Sequence, residues 1–375
     1  MFRAVPAAPA GVPAACRARL VEVERLEWRL GDGGDPADLA AAFHERFAGP
    51  HADADGGVCG VAVLVSAAAG AVMVGGATGA PSPVPAVPDL VMVAYVHGPE
   101  RERAEPGPFT VGDWRPSWTG ADHAKAVVAV QEAIGRGQVY VANVVGHRSA
   151  PWSGDPAALA AAVAGVGGAT WGGVLSGADW LVASGSPECF ITVEGDQAAT
   201  RPIKGTAPAT DKGRAELLGS VKERAEHVMI VDLGRNDLAQ VAVPGTVAVG
   251  ELFRLQRWAD LWQAESTVTA TLASGTGFAD LLRAMCPPGS VTGTPKLAML
   301  DLVGGLEPVG RGPAMGAFGF VQGGTVRLGV TIRTLALDAS RAHVWAGGGI
   351  TWRSVPEDEV DEAEAKAAAL ARALA

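Results

Sequence analysis

From Ala121 to the C-terminus the chain switches repeatedly between helical and strand hydrophobic periods, and this alternation limits the folds open to it. An amphipathic helix is predicted from Ala121 to about Gly135, followed at once by a strand from Gln138 to Val145. Strand-like runs at Trp180 to Ala183 and Cys189 to Val193 flank the turn Ser184-Gly185-Ser186-Pro187, and Arg214 to Val231 reads as one long helix. Leu281 to Met285 and Lys296 to Val303 read as helices on either side of a Pro/Gly-rich turn at 287–295. Strands at Gly316 to Gln322, Val326 to Leu337 and Ala342 to Trp345 lead into a C-terminal helix. The pattern is that of a mixed α/β (α+β) body.

Residues 1–115 are Ala/Gly/Pro-rich and less regular, with a helix expected around Asp35 to Phe47 and strands at Val58 to Val65 and Leu90 to Val96. They are expected to form a short N-terminal subdomain that completes the sheets of a larger domain at 116–375. Pro81 to Pro88 and Gly98 to Gly120 punctuate this part as loops. With 375 residues, 48% of them hydrophobic, the chain can bury a large core. A formal charge of -10 disfavours a nucleic-acid surface or an anionic membrane as partner, while leaving room for a local basic pocket. Cys16, Cys59, Cys189 and Cys286 are far apart and form no CxxC pair, so neither a zinc site nor a disulfide framework is indicated and a reducing, cytoplasmic setting is expected. Met1 to Leu20 lacks the continuous apolar core of a signal peptide, and no apolar run is long enough to span a bilayer.

Arg201-Pro202-Ile203-Lys204-Gly205-Thr206 sets one lysine between proline and glycine. An amine attacks carbon only when deprotonated, which a partly desolvated pocket favours, although an isolated Pro-x-Lys-Gly is more often a solvated loop. Glu188, in Ser186-Pro187-Glu188, precedes Lys204 by sixteen positions with strand-like sequence between. A hairpin return would bring acid and amine to one cavity; otherwise Glu188 is an exposed loop carboxylate. Glu223 and Glu226 lie three apart, as do Glu359 and Glu362, so on helices each pair shares a face. Four such carboxylates suit a hard dication such as Mg2+, yet spacing alone is more often that of solvated helix faces. Ala346-Gly347-Gly348-Gly349-Ile350 follows an apolar strand and lets backbone N–H groups approach an anion, or simply turns the chain. The segment 287–296 places hydroxyls, Thr292 among them, before a helix. Arg333 sits among apolar strand residues, where a guanidinium needs a carboxylate from the protein or a ligand.

Together these segments resemble the chorismate-utilising enzymes, the anthranilate synthase component I-like family, and among them the aminodeoxychorismate synthase component I (para-aminobenzoate synthase) branch. The resemblance covers about residues 120–375 and rests on Ser186-Pro187-Glu188, Arg201 to Thr206, Ala225 to Asp237, the 287–296 turn, Ile332-Arg333-Thr334, Ala346 to Ile350 and Glu359-x-x-Glu362-x-x-x-Lys366. It implies the large chorismate-binding fold, two sheets with flanking helices enclosing one active-site cavity. It also implies Mg2+ on Glu223, Glu226, Glu359 and Glu362, and chorismate bound by Thr206, Thr292, Arg333, Lys366, Gln263 and the amides of Gly347, Gly348 and Gly349.

By the same resemblance Lys204 adds at ring C2 as the C4 hydroxyl leaves with a proton from Glu188; ammonia then enters at C4 and expels the lysine, giving 4-amino-4-deoxychorismate. Anthranilate synthases typically carry alanine at the position of Lys204, and isochorismate-forming relatives carry a general-base lysine at that of Val141. The family's His-Leu-x-Ser reads Gln263-Ala264-Glu265-Ser266 here, and its Tyr-Gln-x-Asn reads Tyr140-Val141-Ala142-Asn143. Glutamine hydrogen-bonds but carries no proton as imidazole does. With no Gly-x-Cys-x-Gly nucleophile in the chain, ammonia is expected from a separate glutamine amidotransferase subunit or from solution. The competing expectations are an anthranilate-type or aminodeoxyisochorismate-type synthase, and a catalytically impaired chorismate-binding homologue.

Overall fold

The structure, a computed structural model, describes residues 20–48, 57–99, 105–166, 168–258 and 260–374. Most of the N-terminal stretch assessed for a targeting signal, and part of the loop expected at Gly98 to Gly120, lie outside them. Two large sheets and a small one carry the chain. The nine-stranded sheet runs in the order Leu20–Trp28, Leu90–His97, Val58–Val65, Ala317–Gln322, Thr325–Val330, Cys189–Glu194, Gln197–Arg201, Val268–Thr271, Ala248–Val249. The N-terminal strands thus extend a sheet whose centre comes from the C-terminal half. In Val58–Val65 nearly every residue is buried, because both faces of this apolar run are covered.

The eight-stranded sheet is built on the long strand Val141–Gly154, which pairs along its length with Arg341–Ile350. The three-stranded sheet consists of Ile203–Pro208, Leu261–Glu265 and Arg254–Trp258. Its strand Ile203–Pro208 follows Gln197–Arg201 of the nine-stranded sheet with only Pro202 between.

Several elements differ from the expectation. The helix expected over Arg214 to Val231 is two, Asp211–Gly219 and Val221–Ala239, because the Ser220 side chain accepts from the N–H of Glu223 and caps the second. The strand expected over Val326 to Leu337 is also two, Thr325–Val330 and Thr334–Leu337, parted at Arg333, whose φ of 51° no strand residue adopts. Ala346 to Ile350 is not a turn but the end of the strand Arg341–Ile350. Cys59, Cys189 and Cys286 are buried, and Cys16 lies outside the described residues. Among the described residues no helix is long and apolar enough to cross a membrane.

Candidate active site

Lys204 lies on the strand Ile203–Pro208, packed against the helix Val221–Ala239 that carries Glu223 and Glu226. Its Nζ is 3.1 Å from Oε2 of Glu226, and its side chain is 24% exposed, so the amine is largely withdrawn from solvent. Burial opposes its charge, but Glu226, Glu362 and Glu223 outweigh burial and raise the ammonium above the usual lysine range. The deprotonated amine expected from desolvation is therefore not what this arrangement favours: the carboxylates win.

Glycine makes the approach of these groups possible. Gly205 has φ +99°, a region that favours glycine, and a Cβ there would sit 3.2 Å from Oε2 of Glu223. A Cβ at Gly348 would meet Oε2 of Glu359 at 2.9 Å. Above Gly349, the Lys204 amine, the Asn143 amide and a Val141 methyl all come within 3.7 Å of one point. The C-terminal helix Pro356–Ala373 supplies Glu359, which is buried, and Glu362, which is half-exposed.

Electrostatics separates the four glutamates. Burial raises the pKa values of Glu223 and Glu359, whereas for Glu362 the pull of Lys366, 2.6 Å away, overcomes burial and lowers it. Their oxygen donors match Mg2+ in kind. Among the described residues, however, no three acidic, histidine or cysteine side chains converge tightly enough to hold a metal ion. The Lys204 ammonium acts as counter-ion in the space they line.

The glycine strand presents only alternate amides. The N–H groups of Asn143 and Val145 are donated to the Thr292 carbonyl and the Glu307 carboxylate, away from the glycines. Residues opposite each other in an antiparallel ladder share its hydrogen bonds or both face outward, so Gly349 and Gly347, their cross-strand partners, turn outward too, while Gly348 faces the ladder. The Gly347 carbonyl, on that outward edge, accepts from Lys366 Nζ at 2.9 Å. Lys366 is thus engaged with Gly347 and Glu362.

Glu188 belongs to a second group. The hairpin Cys189–Glu194/Gln197–Arg201 does return the chain as expected, and Glu188 is buried rather than exposed. Burial raises its carboxyl to about 7, against the opposing pull of the Ser290 hydroxyl, the Ile203 N–H and Arg333. Arg333 lies 3.3 Å over the Trp258 ring with its Nη1 buried and unpartnered, and burial lowers its pKa to about 10, leaving it charged at neutral pH. Glu188 and Lys204 make no hydrogen bond or ion pair with each other; the acid faces a space of about 20 Å3 beside Ser290 and Asp237.

Thr292 is buried and its hydroxyl donates to the Pro288 carbonyl, closing the turn. Thr206 is exposed and pairs across the small sheet with buried Gln263. His227 was not singled out from the sequence, yet it is fully buried behind Lys204. Its Nδ1 carries the proton donated to the Lys204 carbonyl at 2.8 Å, so Nε2 accepts from the Ser266 hydroxyl, whose oxygen accepts from the Phe253 N–H. Its place one residue after Glu226, on the same helix, is the available signal.

Comparison with known proteins bears on this geometry. Residues 79–372 match the family model described as chorismate binding enzyme. The chain is 36% identical over 259 residues to anthranilate synthase component 1 of Thermus thermophilus, covering 67% of this chain and 56% of that one. It is likewise 36% identical over 262 residues to aminodeoxychorismate synthase component 1 of Escherichia coli, covering 68% and 58%. The chain thus spans about half the length of the curated relatives it matches. In fold it is similar to the crystal structure of anthranilate synthase component I from Streptococcus pneumoniae, with a TM-score of 0.79, 22% identity, and coverage of 94% and 92%. The extent of the family match and the identity to these relatives agree: the chain belongs to the chorismate-binding enzyme family.

Proposed function

We propose that the chain is the aminating component of an aminodeoxychorismate-type synthase, which converts chorismate and ammonia to 4-amino-4-deoxychorismate. The observation that carries this is the Lys204 amine, which lies between the Glu223/Glu226 and Glu359/Glu362 pairs and against the bare backbone of Gly349. A carbon nucleophile is useful there because a ring docked over Gly349 meets the amine directly.

Glu188, with its carboxyl near 7, keeps a proton to give to the departing hydroxyl at neutral pH. Arg333 has a buried N–H without a partner and offers it to a ring or side-chain carboxylate. Gly347 and Gly349 turn backbone N–H groups toward the same edge. Glu223, Glu226, Glu359 and Glu362 would be the residues to hold Mg2+, and the ion would supply charge neutralisation for a substrate carboxylate. Lys204 gives its proton to Glu226, 3.1 Å away, and the freed amine attacks ring C2 as the C4 hydroxyl leaves with the Glu188 proton; ammonia then enters at C4 and expels the Lys204 amine. Ammonia comes from a separate glutamine amidotransferase or from solution; the relatives' name, component 1, is consistent with a second subunit.

An anthranilate-type reaction is the second possibility, and two observations favour it: Lys204 is held as an ammonium, and it does not touch Glu188. Relatives bearing that name match at the same identity. Chromatography of the product formed from chorismate, ammonia and Mg2+ separates the two. Aminodeoxychorismate supports the proposal and anthranilate with release of pyruvate refutes it.

A further inference from the structure

Beside Gly349 the candidate site has a neutral edge. A Cβ built there would lie 3.6 Å from a Val141 methyl, 3.7 Å from Asn143 Nδ2 and 3.7 Å from the Lys204 amine, so all three border one small space. Val141 and Asn143 are two apart on their strand, and Asn143 is opposite Gly349, so these residues share one sheet face. The alternate residues Ala142 and Val144 point the other way, into the apolar core with Ala126 and Met299.

Asn143 is buried, and its amide is anchored from one side. Nδ2 donates to the carbonyls of Ser290 at 3.1 Å and Thr292 at 3.4 Å. Two carbonyls can be met only by the nitrogen, which fixes the amide orientation and leaves Oδ1 over. Among the described residues no donor reaches Oδ1, and the oxygen retains access to solvent. It is an open acceptor on the face that carries the site. The same turn ties Asn143 to the acid, since Ser290, whose carbonyl accepts from Asn143, gives its hydroxyl to Glu188. Asn143 thus stands between the proposed proton donor and the Lys204 amine.

A nitrogen nucleophile entering there attacks only as the free base. Beside the glutamates it would be held as ammonium, as Lys204 is. An uncharged amide oxygen accepts an N–H without that Coulombic pull, and the Val141 methyl offers water no partner. We propose that Asn143 Oδ1 and the Val141 methyl form the binding site for neutral ammonia, with Oδ1 accepting one N–H so that the lone pair turns toward the ring. The inference rests on the amination reading above but not on which product is formed. For aminodeoxychorismate, the bond from nitrogen to C4 forms as the bond from C2 to Lys204 breaks, and the proton shed by the new amine goes to the departing Lys204 nitrogen.

Kinetics of Asn143→Ala with ammonia varied at saturating chorismate and Mg2+ test this. We expect kcat/KM for ammonia to fall about tenfold, the loss of one hydrogen bond. Chorismate affinity by calorimetry, and the mass of any Lys204 adduct formed without ammonia, should match the wild type. A second measurement needs no variant: in wild-type protein labelled with 15N at asparagine and free of chorismate, the Asn143 side-chain amide signal should move on titration with ammonium chloride at alkaline pH and stay in place with potassium chloride. Unchanged kcat/KM for ammonia in the variant, or an unmoved amide signal, overturns the proposal. A fall in chorismate affinity as large as the fall in ammonia use also overturns it, assigning Asn143 to the turn alone. A wild type that incorporates no ammonia into chorismate overturns the amination reading itself.

Discussion

The Lys204 amine is 3.1 Å from Glu226, and its pKa is raised although the side chain is mostly buried. Burial alone would release the proton. Three nearby carboxylates hold it instead, so the nucleophile is stored as an ammonium and its activation is tied to whatever neutralises those acids. Glu226→Gln should therefore lower the pKa of Lys204. Titration of the isotopically dimethylated lysine by NMR reads this directly, and an unchanged or higher pKa would contradict the electrostatic account.

Glu188 gives two linked pH effects. Its carboxyl is raised by burial to about 7, so as a proton donor it should impose a fall in kcat/KM as pH rises through that value. Glu188→Gln should remove this limb and lower kcat by about 10²–10⁴-fold.

The same shift costs stability. Its folded pKa lies above the ordinary 4.5, so between pH 4.5 and about 7 the unfolded chain ionises first and stability falls with rising pH. Above that window the cost is constant, of order 3 kcal/mol. Denaturant unfolding at pH 8 should find Glu188→Gln more stable than the wild type by a few kcal/mol, and at pH 4 the difference should vanish.

Glycines of the strand Arg341–Ile350 should differ sharply. A Cβ at Gly347 would fall 2.0 Å from the Val144 carbonyl oxygen, a backbone clash that separates the two strands. At Gly349 the nearest atoms lie 3.6–3.7 Å away, an ordinary contact. Gly347→Ala should therefore cost about 1–3 kcal/mol or more in thermal unfolding. Gly349→Ala should melt like the wild type yet lose chorismate turnover, because its methyl occupies the space beside the amine.

His227 buttresses the lysine from behind. His227→Ala leaves the Lys204 carbonyl and the Ser266 hydroxyl without their partner inside the protein, and should destabilise by about 1–3 kcal/mol, measured from the urea midpoint.

Much of this arrangement is legible in the sequence where local pattern and long-range contact agree. Val58–Val65 and the helix beginning at Gly120 behave as their periodicity demands, and the Glu223/Glu226 and Glu359/Glu362 spacings do put carboxylates on shared helix faces. Breaks set by one residue are harder to see. Ser220 splits a helix through a single cap hydrogen bond, and Arg333 interrupts an apolar strand by adopting positive φ while its guanidinium lies over a tryptophan 75 positions earlier. Nor does composition reveal that Thr292 uses its hydroxyl on its own turn, or that His227 reaches the backbone of Lys204, since both depend on tertiary neighbours.

The most direct measurement is the product profile of Lys204→Ala supplied with chorismate, ammonia and Mg2+, analysed by mass spectrometry beside the wild type. If the Lys204 amine attacks the ring, aminodeoxychorismate formation disappears in the variant while its fold and chorismate affinity persist. Undiminished aminodeoxychorismate from a protein without that amine would contradict the central claim.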